Sequence, residues 1–436
     1  MKKHRWLKSI GLSVSIFAMV CGLAACGNKN SSSSSSSNSN EDGQPVTITF
    51  WDGFSGLYEK SMQKLVNEFN KSQTKYKVVC TSQTNYSNLS HKIMTAAKAH
   101  DLPVMAQSPY PSVPDYVKTG LIIPLNDYIN KDFNNQDLND IYPAFLKNTK
   151  YNGNYYSIPF SKSLDVLYYN KTLLKKYGLN LPTSWEEIQK DGKILKDKHA
   201  NTKILQLNKS FDQEYQSMAK ELGVNLISPG TLKPNYESNG SKEAANYFMN
   251  LLNNGYAATS SDNYGDSDWE RGSAIFYADT SAGINFISQK VSPSFKWGTI
   301  PFPSYHGKKA SVVAGTNLMI FKSASKKQRD GAWTFMKYLM SKPITLKWAE
   351  MTGYVPIRQS VAKGAQYQQY LKKHPQFKGP NDTLPYGFEP TVYPGNSQFY
   401  DQQLVIFSDM IDKKSTVNQA LSQLQNLAKQ IIDKNK

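Results

Sequence analysis

The sequence has few cysteines and few arginines. Only Cys21, Cys26 and Cys80 are present, which excludes a disulfide framework or a cysteine-based metal site in the body of the chain. The formal net charge is +17, yet only four of the 51 basic residues are arginine. Nucleic-acid readers rely on arginine for bidentate and stacking contacts, and the lysines here are scattered. We therefore interpret the charge as solvated surface and expect no nucleic-acid partner.

Motifs for catalysis and metal binding are also lacking. The six histidines show no metal-ligand spacing, and no P-loop, G-x-S-x-G or G-x-G-x-x-G is present. Three fragments resemble the penicillin-binding set: S-x-x-K at Ser61–Lys64, K-T-G at 118–120 and S-D-N at 261–263. The order of the last two is the reverse of the one this set requires. We expect no enzyme, no metal and no cofactor.

The long apolar runs of a membrane protein are missing, apart from one short stretch at the start. A basic head precedes the apolar residues Ile10–Val20, and Leu-Ala-Ala-Cys ends the stretch at Cys26. This pattern is typical of a bacterial lipoprotein signal at 1–25, with Cys26 as the lipidated residue. Residues 26–45 are rich in Ser and Asn and predict a flexible tether. The alternative is an ordinary signal peptide with an incidental cysteine.

The body of the chain alternates between strand-like and helical patterns. β-Branched residues at 46–51 and 76–80 predict strands, and helical spacing of apolar residues predicts helices at 57–70 and 88–100. Alternation of this kind predicts a parallel sheet covered by helices, with ligands at the carboxyl ends of its strands. Further along, residues 157–170 predict paired strands, and 181–195 predict a helix that begins with a capping box of Ser184 and Glu187.

Residues 46–430 resemble a known family, the extracellular solute-binding proteins of carbohydrate ABC importers, in the group that includes maltose-binding protein. Within that group, the chain is similar to the glycerol-3-phosphate-binding proteins. The stretches that carry the resemblance are ITFWDGFSG, VNEFNKSQTKYKVV, NYSNLS, IPFSKSLDVLYYNKTLLKKYGL, LPTSWEEI, GSAIFYAD, AGTNLMIFK and WAEMTGYVPIRQS. They are specific in combination and less so singly.

The resemblance implies an α/β fold of the periplasmic-binding-protein type II. Two α/β lobes would be joined by a hinge and would close on a ligand in the cleft. Chain crossings are expected near Phe160, Pro301 and Lys322. The expected lobes are therefore 46–160 plus 301–322, and 161–300 plus 323–436.

The resemblance also implies a set of ligand contacts. By position these are Tyr86, Tyr110, Ser163, Asp279, Gly315, Tyr354 and Tyr393. At three of them the residue type departs from the glycerol-phosphate pattern: Tyr110 replaces a carboxylate, Asp279 a serine and Tyr393 an arginine. An added acid and a lost arginine both disfavour a phosphate. Trp51, at the end of the first strand, is a further candidate for stacking on a sugar.

Three functions therefore remain open. The first is a lipid-anchored binding protein that delivers a neutral sugar, oligosaccharide or polyol to an ABC permease. The second has the same role with glycerol-3-phosphate or a glycerophosphodiester as ligand, and with Lys162 or Arg358 in place of the lost arginine. The third is a surface hydrolase or adhesion protein. In the first two we expect a monomer on the extracellular face of the cytoplasmic membrane of a Gram-positive bacterium.

Overall fold

The structure is a computed structural model that describes residues 43–260 and 266–435. The predicted signal peptide, Cys26 and most of the predicted tether lie outside the described residues. Within the described ranges, no helix is long and apolar enough to cross a membrane.

Strands and helices alternate along the chain. The strands are β1 Val46–Asp52, β2 Tyr76–Ser82, β3 Met105–Pro109, β4 Lys150–Tyr151, β5 Asn154–Tyr155, β6 Ile158–Asn170, β7 Lys203–Leu207, β8 Ala257–Thr259, β9 Ala274–Thr280, β10 Trp297–Pro301, β11 Ser311–Ile320 and β12 Gly387–Phe388. The helices are α1 Gly56–Ser72, α2 Tyr86–Ala99, α3 Val113–Lys118, α4 Asn126–Asp132, α5 Asn135–Asn139, α6 Pro143–Leu146, α7 Lys171–Tyr177, α8 Trp185–Asp197, α9 Asp212–Glu221, α10 Asn239–Asn253, α11 Asp266–Glu270, α12 Ile284–Lys290, α13 Lys326–Met340, α14 Lys342–Thr352, α15 Gln359–Ala362, α16 Ala365–Lys373, α17 Lys378–Thr383, α18 Asn396–Ile411 and α19 Val417–Asn435. Short 3-10 helices lie at Tyr110–Ser112, Lys147–Thr149, Ser281–Gly283, Pro375–Phe377 and Leu384–Tyr386.

The first four predicted elements are confirmed as β1, α1, β2 and α2. One half of the predicted capping box of α8 is confirmed, because the Ser184 side chain accepts a hydrogen bond from the Glu187 N–H at 3.3 Å. The Glu187 carboxylate accepts from the Thr183 N–H at 2.6 Å. The prediction of paired strands over 157–170 is wrong, since β6 is one strand of 13 residues. Nearly all of β6 is buried on both faces, so its sequence lacks the alternation of polar and apolar residues that marks a half-buried strand. The sequence pattern therefore did not show whether this segment forms one strand or two.

A ten-stranded sheet runs through the body, and β6 lies near its middle. The order is β2-β1-β3-β11-β6-β9-β7-β8, with β10 paired to β6 and β12 to β11. β1 is parallel to β2 and β3, and β7 is parallel to β8 and β9. β11 and β6 are antiparallel to their neighbours in the main order. Two parallel regions are thus joined by an antiparallel centre.

Each parallel region has its own apolar core. The first core surrounds β1 and α1 and includes Phe50 and Leu65. The second surrounds β7, α9 and α10 and includes Leu205 and Phe248. We call these regions the first lobe and the second lobe, and we call the zone where they face each other the junction.

Helices α13 and α14 pack on the first lobe. Trp333, Phe335, Met336 and Trp348 belong to the core around β1. The expected boundary near Lys322 assigned these helices to the second lobe, and their packing contradicts that assignment. An amphipathic pattern shows that a helix packs on an apolar core, but it does not show which core. The sequence therefore did not distinguish between the two lobes. Ile357, Ala362 and Leu384 also pack in the first core, well beyond the expected boundary.

Candidate ligand-binding site

An aromatic cluster forms the first-lobe wall of the junction, beyond the carboxyl end of β1. Tyr354 follows α14, whose left-handed cap at Gly353 turns the chain. Its ring is 5.3 Å from that of Tyr58 and 6.3 Å from that of Phe54, between centroids. It stacks on Trp348 with an interplanar angle of 8°. Burial raises the pKa of Tyr354 to about 12, so the hydroxyl stays protonated and is available as a donor.

Tyr86 joins this wall from the first turn of α2. The Tyr86 and Tyr354 hydroxyls lie 3.1 Å apart and share a hydrogen bond. Tyr86 is partly exposed, and Gly53 lies so close that a Cβ there would be 2.4 Å from the Tyr86 ring. Two of the predicted contacts, Tyr86 and Tyr354, are therefore neighbours.

Tyr58 crosses the junction from the first lobe to the second. Its hydroxyl donates to the carbonyl of Ala282, in the 3-10 helix after β9. Its ring also packs edge-on against Phe286 of α12, at 5.0 Å between centroids. These contacts join the aromatic wall directly to the second lobe.

Polar groups in the middle of β6 and at the end of β9 lie close to the 3-10 helix whose Ala282 carbonyl accepts from Tyr58. Thr280 Oγ1 donates to Ser163 Oγ at 2.8 Å. Asp279, next to Thr280, is partly exposed and accepts a hydrogen bond from the Tyr277 hydroxyl. Loss of hydration raises the pKa of Asp279 to about 7, against the opposite effect of that hydrogen bond. Asp279 is therefore divided between its protonated and ionised forms near neutral pH.

Gly315 lies on β11 at the register shift opposite Lys162. Its φ is +103°, a left-handed conformation that favours glycine. A Cβ at this position would lie 2.0 Å from the Ser161 carbonyl oxygen. The backbone therefore requires glycine here, whatever contact Gly315 makes with a ligand.

Tyr110 lies beside a buried ion pair. Lys162 Nζ is 2.8 Å from Glu389 Oε1, and both side chains are fully buried. The same Nζ is 5.4 Å from the centroid of the Tyr110 ring. Burial raises the pKa of Glu389, and Lys162 opposes that rise. The ammonium of Lys162 is thus already paired.

Comparison with known proteins agrees with this architecture. A family model described as "Bacterial extracellular solute-binding protein" matches residues 64–377. The chain belongs to this family. Its members are binding proteins of bacterial ABC importers and not enzymes. The sn-glycerol-3-phosphate-binding periplasmic protein UgpB of Brucella melitensis is 23% identical over 358 residues, which cover 79% of this chain and 82% of that protein.

Two solved structures share the fold of this solute-binding protein. One is a cyclic alpha-maltosyl-1,6-maltose binding protein from Arthrobacter globiformis, with a TM-score of 0.78 and 20% identity over 89% of this chain and 100% of that one. The other is UgpB from Mycobacterium tuberculosis in complex with glycerophosphocholine, with a TM-score of 0.78 and 20% identity over 89% of this chain and 98% of that one. The expected two-lobed fold, the periplasmic-binding-protein type II, is confirmed.

Two predicted contacts of this solute-binding protein lie apart from the aromatic wall. Trp51 alternates with Phe50 on β1, so its ring faces α2, where Lys92 Nζ lies 4.9 Å from the ring centroid. Tyr393 is buried in the second-lobe core beside Phe399. Burial raises the pKa of the Tyr393 hydroxyl, and the negative charge of Asp115 raises it further.

The sequence interpretation missed the ring of Phe54 and the bridging role of Tyr58. Both residues follow the first strand closely in the sequence. Aromatic residues just beyond the end of a strand could therefore have indicated them as members of the site. It also missed the buried carboxyl groups of Asp165 and Asp212, whose charges act on the hydroxyl of Tyr110 and whose environment depends on long-range packing. Among the described residues, no group of three or more His, Cys, Asp or Glu has the arrangement of a metal site.

Proposed function

We propose that this protein captures a neutral sugar, oligosaccharide or polyol between its lobes and delivers it to an ABC permease. The observation that carries the proposal is the pairing of the aromatic wall, Tyr58, Tyr86 and Tyr354, with the carboxyl group of Asp279. Aromatic faces stack on the C–H faces of a sugar ring. A carboxylate accepts charge-assisted hydrogen bonds from hydroxyl groups.

The charges around the junction support a ligand without a phosphate. Lys162 is bonded to Glu389. Arg358, the other cation considered for a phosphate, is 5% exposed and donates to the Met340 carbonyl at 2.6 Å and to Asp140 at 3.2 Å. A phosphate would therefore meet Asp279 without a free cation from either residue.

Glycerol-3-phosphate or a glycerophosphodiester is the second candidate. It is favoured by the names of the curated relatives and by the glycerophosphocholine complex of the Mycobacterium tuberculosis protein. All of these relatives are below 25% identical, a range in which pocket residues diverge while the fold is kept.

A thermal-shift screen of residues 43–436 against neutral sugars, polyols, glycerol-3-phosphate and glycerophosphodiesters tests the proposal. A ligand that binds only the native state raises the melting temperature. We expect a shift with a neutral hydroxylated compound. A shift with glycerol-3-phosphate alone would contradict the proposal.

Ligand capture is proposed to occur by closure of the two lobes about the hinge. Small-angle scattering of residues 43–436 should show a more compact particle when the ligand from the screen is added. Superimposable curves with and without that ligand would contradict a closing motion. The same measurement gives the molecular mass and so tests the expected monomer.

We also propose that Cys26 is lipidated and holds the protein on the extracellular face of the cytoplasmic membrane of a Gram-positive bacterium. Stable anchoring by acyl chains needs two or more of them, which a diacylated cysteine supplies. Cys26→Ser should release the protein into the medium or leave it unprocessed. If the processed variant fractionates with membranes as the wild type does, the anchor proposal fails.

A further inference from the structure

The edge of the sheet at which β1 and β2 begin is a meeting point of several chain segments of the first lobe. The two strands are parallel and begin side by side, with Val46 opposite Tyr76. The Val46 N–H donates to the Lys75 carbonyl at 3.0 Å. α1 ends just before β2, and α2 ends shortly before β3. The starts of three parallel strands and the ends of two helices therefore share this edge.

The end of β11 reaches the same edge from the opposite direction. β11 is antiparallel to β3, and its last residue, Ile320, pairs with Met105, the first residue of β3. α13 begins a few residues further on. Gly331 of α13 lies so close to Tyr76 that a Cβ there would be 2.5 Å from the Tyr76 ring. The segment between β11 and α13 is thus a neighbour of the start of β2.

The segments that meet at this edge are rich in cations. They are residues 71–77, 98–101 and 322–330, in which eight side chains are basic and two, Asp101 and Asp330, are acidic. The lysines are exposed, and the one arginine is partly exposed. We call the eight basic residues the basic face: Lys71, Lys75, Lys77, Lys98, Lys322, Lys326, Lys327 and Arg329.

Most of the basic face has no acidic partner. Within residues 43–260 and 266–435, Lys326 is the one member that forms an ion pair, with Asp330 at 2.8 Å. Helix α4, which contacts Asp330 through Tyr128, adds one lysine and two acids, of which Asp132 is paired with Lys337 at 2.7 Å. Exposed charges of one sign produce a field that attracts a surface of the opposite sign.

The chain enters the body at this same edge. Gly43 and Gln44 are exposed and lead directly to Val46 at the start of β1. A Ser-rich chain as long as the predicted tether of 26–45 spans roughly 25 Å on average. An anchor at Cys26 would therefore keep the basic face, and not the second lobe, close to the membrane.

The candidate ligand-binding site lies at the opposite edge of the same strands. Phe54 and Tyr58 follow the carboxyl end of β1, and Tyr86 follows that of β2. A strand of seven residues such as β1 separates the two edges by roughly 23 Å. A surface that holds the protein by its basic face leaves the junction clear.

We propose that the basic face docks on the anionic phospholipid headgroups of the membrane that holds Cys26. Lysines close to such a surface are each attracted to it, and the attraction declines within a Debye length. The contact is thus a second, reversible attachment beside the lipid anchor. The inference rests on the proposed function for its setting, since the proposed anchor brings the body near the membrane.

Vesicle sedimentation of residues 43–436, which contain both apolar cores and lack Cys26, gives the first test. The vesicles are phosphatidylcholine alone and phosphatidylcholine mixed with phosphatidylglycerol. We expect binding to the anionic vesicles only, and added salt should weaken it because ions screen exposed charges. Equal binding to both vesicles, or binding to neither, would overturn the inference. The result depends neither on lipidation of Cys26 nor on the transported ligand, so the inference and the proposed function fail separately.

A triple variant, Lys71→Gln, Lys75→Gln and Lys327→Gln, gives the second test. The three lysines lie on α1, in the turn before β2 and on α13. Binding to the anionic vesicles should fall at least about tenfold, since each lysine at such a surface contributes roughly fivefold. All three side chains are exposed, and circular dichroism will show that the variant is folded.

The matched control replaces three lysines of the second lobe by glutamine. They are Lys190, Lys233 and Lys429, which are exposed and form no ion pair within the described ranges. The control loses the same net charge and should bind the vesicles nearly as the wild type does. Equal weakening in the two variants would show that net charge, and not the basic face, is responsible.

A soluble polyanion separates the membrane from an anionic polymer of the cell wall. Weaker binding of poly(glycerol phosphate) than of the anionic vesicles would support the membrane. Tighter binding of the polymer, with the same sensitivity to the triple variant, would overturn that assignment. Hydrogen exchange of the vesicle-bound wild type locates the contact without any substitution. Protection is expected in residues 71–77 and 322–330, and protection confined to the second lobe would contradict the inference.

Discussion

The two faces of the junction differ in how complete they are without a ligand. On the first lobe, the ring of Tyr58 packs on that of Tyr354, and the ring of Tyr86 packs on that of Phe54. The hydroxyls of Tyr86 and Tyr354 share a hydrogen bond, and that of Tyr58 donates to the Ala282 carbonyl. On the second lobe, the carboxyl group of Asp279 is partly exposed and accepts a hydrogen bond from the Tyr277 hydroxyl, and no ion pair of the described residues includes it. One face is satisfied by its own residues, and the other is not.

This difference separates two roles in recognition. A rigid, prepacked aromatic wall provides shape at low entropic cost. The carboxyl group of Asp279 instead provides selectivity, because a ligand that brings hydrogen-bond donors satisfies a group that the other lobe does not pair. The faces can be tested one at a time, since the residues of each lie on different strands and helices.

The largest effect is expected for a change in β11 and β6, the central strands that join the two lobes. Gly315→Ala would place a Cβ against the Ser161 carbonyl in a left-handed backbone conformation. We expect a loss of about 2–4 kcal/mol in the free energy of unfolding, from overpacking and backbone strain combined. Urea denaturation measures it. Gly307→Ala, also at positive φ but with open space around the Cβ, is the control and should lose less. Equal losses in the two variants would show that the close contact does not matter.

Removal of one ring tests the aromatic face. Tyr354→Ala should weaken ligand binding by about 1–3 kcal/mol, because a buried aromatic anchor carries a large share of the affinity. Calorimetry with the ligand from the thermal-shift screen measures the change. Trp51→Ala is the control, since Trp51 faces α2, and it should bind nearly as the wild type does. If Trp51→Ala costs as much as Tyr354→Ala, the assignment of the wall is wrong.

Removal of one charge tests the carboxylate face. Asp279→Asn should weaken a hydroxylated ligand by about 1 kcal/mol, because charge-assisted hydrogen bonds become ordinary ones. A phosphate ligand should bind more tightly to the same variant, since a repulsive charge is lost. Calorimetry therefore gives opposite signs for the two candidate functions. Unchanged affinity would show that Asp279 does not contact the ligand.

The pH dependence of the free energy of unfolding tests the carboxylate face in a second way. The pKa of Asp279 is raised to about 7 in the folded protein, from an ordinary value of about 4. Between these pH values the folded state retains a proton that the unfolded state has lost, so this group lowers stability as the pH rises from about 4 to about 7. The dependence should be flatter in Asp279→Asn. Thermal melts across this range measure it, and parallel curves for the two proteins would contradict the raised pKa.

The smallest effect is expected for the contact that joins the faces. Tyr58→Phe keeps the ring and removes the hydrogen bond to the Ala282 carbonyl. Affinity should fall by about 0.5–1.5 kcal/mol, the usual worth of one neutral hydrogen bond, because the closed arrangement of the lobes loses a contact. Calorimetry measures the loss, with Tyr76→Phe outside the junction as the control. A larger loss in the control would argue against this role for Tyr58.

Local features of the fold were predictable from the sequence, and so were some members of the site. Apolar spacing predicted α1, and β-branched residues predicted β1, because local patterns are enough to specify both. The resemblance also placed Tyr86 and Tyr354 in one site, and the structure brings their hydroxyls together. Whether they bind the ligand stays a prediction.

The failures have long-range causes. The assignment of α13 failed because helical spacing does not identify the partner sheet. The acids of α9 resemble an ordinary charged first turn in the sequence, since their burial depends on the packing of α9 against α10, α18 and β11. Each of these depends on contacts between distant parts of the chain.

The packing of α13 and α14 on the first lobe has a consequence for synthesis of the chain. Phe50 and Leu65 belong to an early segment, yet their core is completed by Trp333 and Trp348. The second core likewise needs Leu421, near the end of the chain. Neither lobe can therefore finish folding on the ribosome while the chain is half made, unlike domains that fold in succession. The nascent chain must keep apolar surfaces exposed for most of its synthesis, a state that holding chaperones recognise and in which an export machinery can accept it.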